Sequence, residues 1–163
     1  MPAVSNTSPI SNLAIIGRLD LLKSQFPELW IPPAVATELK AHPDPVALAA
    51  IDTAIRDQWI RIAAPQYTHL HRMLLLQVHR GEAEAIALAA DLKADTVIID
   101  EQEGRELAAQ AGLFVTGTLG ILLRAKQTAQ ISAVRPEIQA LRAKTRFFLS
   151  SSLEAEVLRT AAE

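Results

Sequence analysis

Apolar residues along this chain follow two patterns: short continuous runs, and longer stretches in which they recur every third or fourth position. The runs read as buried strands and the stretches as helices with one apolar face. The pattern predicts a first strand over 1–5, then a helix over 9–16 that carries a proline in its first turn and ends at Gly17. A short helix over 18–26 and a strand over 28–32 follow, with Pro32 and Pro33 stopping the strand and opening a helix over 33–42. His42-Pro43-Asp44-Pro45 breaks the chain, after which 46–57 reads as helix and 59–65 as an edge strand or extended connection. Helical spacing returns over 68–79 and is interrupted at Arg80-Gly81. The Ala-rich segment 81–94 has the strongest helical signal, with Gly81 as N-cap and Glu82 and Glu84 in the first turn, where the macrodipole favours negative charge.

"DTVIID" (95–100) is a continuous apolar run and reads as a buried strand; 101–112 reads as a helix closed by Gly112, 113–117 as a strand and 118–131 as a helix. Beyond these lie an amphipathic helix over 135–144, the stretch "FFLS" and a last helix over 152–161. Strands and helices that alternate over short links predict an α/β fold with a parallel sheet covered on both faces. No repeat or linker divides the 163 residues, which suit one domain with a C-terminal helical extension from 132. Phe147 and Phe148 either cap the sheet or belong to a partner surface.

Composition narrows the function. Half the residues are hydrophobic but only 4% are aromatic, so Ala, Leu, Ile and Val build the core. With 16 basic and 18 acidic residues the net charge is −2, unlike the footprint of a duplex-binding module. The absence of cysteine excludes disulfides and thiolate metal sites and suits a reducing, cytoplasmic setting. No apolar run approaches the ~18 residues needed to cross a bilayer, and no basic segment precedes the apolar residues at the N-terminus, so neither a membrane anchor nor a secretion signal is expected.

Chemistry is expected where strands end, because ligands of open α/β sheets bind at the C-terminal strand edge. Asn6 follows the first strand, Glu38 sits in the helix after the second, Glu82 and Glu84 open the Ala-rich helix, and Asp100 ends the run "TVII". Oxygen donors of this kind suit Mg²⁺, and such ions support attack on phosphodiesters. Each acid also has an ordinary reading: Glu82 and Glu84 as dipole-stabilising residues, Asp100 as a helix cap, Glu38 as a solvated side chain. The histidines lack zinc-ligand spacing.

The strings "VSNTSPISNLAIIGRLDLL", "PPAVATEL" and "GEAEAIALAADLKADTVIIDEQEGRELAAQAGLFVTGTLGILLRAK" resemble the PIN-domain superfamily, in particular its small prokaryotic VapC-like branch, over residues 3–131. The resemblance implies a three-layer α/β/α fold with a central parallel sheet and a Mg²⁺- or Mn²⁺-dependent endoribonuclease. It further implies the toxin half of a type II toxin–antitoxin pair, silenced by a small antitoxin protein, and a homodimer. Carried onto this chain, it makes Asn6, Glu38, Glu84 and Asp100 the catalytic quartet, with Glu82 as an alternative metal ligand and Glu103 as an outer acid. Thr7 and Ser8 then contact a metal-held water or the scissile phosphate, and Arg80, Arg105 and Arg124 stand near enough to meet phosphates. The family generally has aspartate where this chain has Asn6. The missing charge points to a weaker site, or to a PIN-like module that has lost catalysis and acts by binding protein or RNA.

Overall fold

The computed structural model describes residues 2–66 and 68–163. Five parallel strands form one sheet: β1 (Ala3–Ser5), β2 (Leu29–Ile31), β3 (Ile60–Ile62), β4 (Thr96–Ile98) and β5 (Phe114–Thr116), in the order β3-β2-β1-β4-β5. The expected strand over 1–5 is therefore seen from Ala3; Met1 lies outside the described residues. β3 is an edge strand, as its mixed pattern predicts.

Among the described residues ten helices connect and cover the strands. They are α1 (Thr7–Ile15), α2 (Leu19–Gln25), α3 (Pro33–Lys40), α4 (Pro45–Arg56), α5 (His69–Leu75), α6 (Arg80–Asp91), α7 (Gln102–Gln110), α8 (Thr118–Gln127), α9 (Arg135–Lys144) and α10 (Ser151–Thr160).

Side chains alternate across a strand, so each strand feeds both layers. Ala3, Leu29, Ile31 and Ile98 pack with Ile10, Leu13, Leu22, Leu39, Ile51, Leu122, Leu141 and Val157 on one face. Val4, Val97 and Ile99 pack with Ala83, Ile86, Leu88 and Ala108 on the other. The result is a three-layer α/β/α sandwich, and its C-terminal helices are part of the first core. Fully burying one of these Leu or Ile side chains contributes about 1.5–3 kcal/mol.

Two local expectations change. The helical stretch over 68–79 ends early, because α5 stops at Leu75 and the chain turns before α6. Its N-cap is His79 and not Gly81; the Glu82 carboxylate accepts the His79 backbone N–H at 3.1 Å, which closes the turn two residues before the glycine. α1 likewise begins at Thr7, placing Pro9 inside the first turn instead of at its start. A proline there still forfeits no intrahelical bond, since the first four N–H groups of a helix have no partner.

The order of the strands sets the position of the site. The chain runs outward from β1 through β2 to β3, then returns to the other side of β1 with β4 and β5. Residues leaving β1 and β4 therefore diverge at a crevice at the C-terminal edge of the sheet, the topological switch point of an open α/β fold. The pairing Ser5↔Ile98 and the bond from Asn6 N–H to the Ile98 carbonyl, 3.0 Å, bring Asn6 beside the start of the β4–α7 turn.

Candidate active site

Asn6 is the N-cap residue of α1, yet its side chain caps nothing. Its amide donates instead to Glu101 Oε2 at 3.1 Å, from the turn after β4. The next two residues do the same kind of work: the Thr7 hydroxyl donates to Glu38 Oε2, and the Ser8 hydroxyl to Glu101 Oε1. One short stretch, Asn6-Thr7-Ser8, thus orients two carboxylates that come from segments 31 and about 95 residues away.

Gly81 lies against Glu38 and Asn6. A Cβ at this position would stand 3.1 Å from Glu38 Oε1 and 3.2 Å from the Asn6 side-chain carbonyl. The Asn6 and Glu38 oxygens therefore point at the same spot on the first turn of α6, which a side chain at 81 would fill. Glu82, the next residue, is buried between α6 and α7, and burial first and the neighbouring Glu101 charge second raise its carboxyl above the ordinary value. Oxygens of Glu38, Asn6, Glu101 and Glu82 thus follow one another along the crevice.

The other acids expected at the site have different partners. Glu84 is buried, accepts the Ala34 backbone N–H at 3.1 Å and receives Arg80 Nε at 2.8 Å. It holds the first turn of α3, whose later turn carries Glu38. Asp100 accepts the Thr118 N–H at 2.7 Å, the Thr118 hydroxyl at 2.6 Å and the Asn12 amide at 3.2 Å. Burial pushes its carboxyl up, and the Thr118 bonds oppose that shift. Its neighbour Gly117 admits no side chain, since a Cβ there would fall 2.5 Å from Asp100 Oδ1. Asp100 therefore anchors the start of α8, not the helix that directly follows it in sequence, for which a capping role is expected.

Glu103 is exposed on α7 and raises the Glu82 carboxyl only weakly. Arg80 is committed to Glu84, Arg105 donates to the Ile99 carbonyl at 2.8 Å, and Arg124 is exposed on α8. Sequence reading missed Glu101, because Asp100 ends the apolar run and looks like the strand-end acid. The adjacent acid pair "DE" was the available signal. Asn12 and Thr118 were missed as well; nothing in a one-dimensional pattern links them to Asp100.

A family model described as PIN domain matches residues 2–163. The chain belongs to the PIN-domain family, and the match runs through α9 and α10. A comparison with curated proteins finds no match. Membership implies nuclease-type chemistry, and PIN domains generally work with divalent metal ions. Among the described residues no three acidic or histidine side chains already stand together as a metal-holding group. The donor set nevertheless fits a hard cation in kind: its oxygens are carboxylate and amide, two converge beside Gly81, and a cation would relieve the repulsion between Glu82 and Glu101. Among the described residues no helix is long and apolar enough to cross a membrane.

Proposed function

We propose that this protein is a PIN-type endoribonuclease that works with Mg²⁺ or Mn²⁺, and that it acts as the toxin of a toxin–antitoxin pair. The observation that carries the reading is the convergence of the Asn6 and Glu38 oxygens beside Gly81 at the switch point, with Glu101 joined to Asn6 through its amide. Glu38 and Glu101 are the carboxylates we assign to the ion, with the Asn6 carbonyl as a neutral donor and Glu82 as the acid behind them. When bound, the ion supplies positive charge for activating water and for neutralising the scissile phosphate. Thr7 and Ser8 hold the two carboxylates in orientation, while Glu84 and Asp100 fix the helices α3 and α8 that frame the crevice.

Asn6 replaces a charge with a dipole. Fewer charged ligands mean weaker cation binding, so activity needs a higher metal concentration than a four-acid site. The test is cleavage of a labelled single-stranded RNA in Mn²⁺ and in EDTA, with titration calorimetry on the same samples. The expected result is metal-dependent cleavage that Asn6→Asp shifts to lower Mn²⁺, and that Glu101→Gln removes. Binding of neither metal nor RNA by the wild type would sink the reading.

Asn6 also favours a second reading, a PIN-like module that binds protein or RNA without cutting. A partner surface for either reading is available on α5 and the turn after it, where Leu70, Met73, Leu75 and Leu76 are exposed. An antitoxin or a second copy of the chain would cover such a face. Gain of cleavage only in Asn6→Asp would select this second reading.

A further inference from the structure

The segment between α9 and α10 lies beside the acidic crevice without contributing to it. On this segment Phe148 is 88% exposed, while its neighbours Phe147 and Leu149 pack into the core. The exposed ring is therefore carried by an anchored stretch of chain. Two cavities meet at it. One, of about 450 Å³, is bordered by Asp100, Arg105, Gly117 and Phe148. The other, of about 330 Å³, is bordered by Ser8, Glu101, Arg146 and Phe148. Phe148 is a ridge between two hollows, each of which reaches the turn after β4 and contains one guanidinium.

The two arginines differ in how they are held. Arg105 donates Nη1 to the Ile99 carbonyl at 2.8 Å, which fixes its fork on the wall of the larger cavity. Arg146 is exposed and takes part in none of the ion pairs among the described residues. Cations on both sides of an apolar ring suit a polyanion that carries flat apolar groups. Unpaired bases stack on aromatic side chains, and adjoining phosphates meet arginines. A duplex keeps its base faces covered, so a chain with so exposed a ring beside its acids is built for single strands or loops.

We propose that Phe148 is a stacking platform for one base of single-stranded RNA next to the scissile phosphate, with Arg105 and Arg146 pairing the flanking phosphates. This rests on the nuclease reading above and deepens it: it names the element that holds the strand. The segment between α9 and α10 then sets which nucleotide is presented to Glu101 and Glu38.

The experiment is fluorescence anisotropy with a short fluorescein-labelled single-stranded RNA in EDTA, beside quenching of 2-aminopurine placed within the same strand. Wild type, Phe148→Ala, Phe148→Trp and Glu101→Gln are compared, with a thermal melt of each. Phe148→Ala is expected to weaken binding about tenfold, within the range for loss of one base–aromatic stack, and to abolish the quenching. Phe148→Trp should restore both, and the melts should coincide because the ring is exposed. Equal binding by Phe148→Ala and wild type would overturn the proposal. Tight binding with the Phe148→Ala defect, but no cleavage in Mn²⁺, would leave the platform standing and remove the ribonuclease reading. A wild type that binds no RNA would remove both.

Discussion

Two places in the molecule present a pair of acids a residue or two apart, and in each pair the members do opposite work. On the first turn of α6, Glu84 is tied to Ala34 and Arg80, whereas Glu82 sits near Glu101 with a raised carboxyl. After β4, Asp100 is held by Thr118 and Asn12, whereas Glu101 faces Asn6 and Ser8. One acid of each pair secures the start of another helix, and the other faces the crevice. The difference lies in what the donors belong to: those on Glu84 and Asp100 include the backbone N–H groups of Ala34 and Thr118 in first helical turns, whereas those on Glu101 are the side chains of Asn6 and Ser8, and Glu101 raises the cost of ionising Glu82.

The largest effects should separate the two roles. Glu101→Gln and Glu38→Gln are expected to lower cleavage by at least about 100-fold, since even the outer partners of metal ligands cost about 10–100-fold. Their melting temperatures should stay near wild type. Glu84→Ala and Asp100→Ala should show the reverse: each leaves buried N–H donors unpaired, at about 1–3 kcal/mol, or roughly 2–4 °C in Tm per kcal/mol for a chain of this size. A Glu101→Gln protein that melts far below wild type and a Glu84→Ala protein that melts normally would erase the distinction.

Gly81→Ala comes next. The added methyl enters the spot shared by Asn6 and Glu38 oxygens, so turnover should fall by about tenfold as the two are pushed apart by a few tenths of an ångström. Alanine favours a helix over glycine by about 1 kcal/mol, so Tm should hold or rise. Steady-state cleavage together with differential scanning calorimetry checks both halves; unchanged turnover would show that the crevice is not used.

A smaller effect concerns pH. The Glu82 carboxyl is raised in the folded protein, so its ionised form destabilises the native state. That penalty is present in full above the raised folded value and vanishes below the ordinary carboxylate range. Glu82→Gln keeps an oxygen for the His79 N–H and should melt higher than wild type at neutral pH in EDTA. The gap should close as pH falls through the carboxylate range and shrink when Mn²⁺ is added. A gap that is flat with pH would mean that charge at residue 82 is not the cause.

The smallest is at the C-terminal carboxylate side chain of Glu163, lowered chiefly because it accepts the Val134 N–H, and also that of Arg135. A depressed carboxyl stabilises the folded chain above its unfolded value and stops doing so as pH falls through its folded value. Glu163→Gln should therefore lower Tm slightly at neutral pH and not at all in strong acid, read by the same melts.

How far the sequence carries is clearest in these acids. Continuous apolar runs and 3.6-residue spacing foretell all five strands and all ten helices to within a few residues, because each pattern reports burial of one element's own face. Asn6 and Glu82 were legible as candidate site residues since one follows a strand end and the other opens a helix, and Glu38 because its helix follows directly on β2. Glu101 was not, because choosing between Asp100 and Glu101 requires knowing that Thr118 and Asn12 arrive from α8 and α1 to claim one of them.

By itself, then, the sequence determined the parallel α/β/α class, the family resemblance and the set of oxygen-bearing side chains at the edge of the sheet. Only the tertiary structure decided which donors each acid meets: Ala34 and Arg80 for Glu84, Thr118 and Asn12 for Asp100, Asn6 and Ser8 for Glu101. The physical reason is that hydrophobic periodicity is local and repeats along the chain, whereas the partner of a carboxylate is supplied by whichever backbone and side-chain donors packing brings within about 3 Å of it.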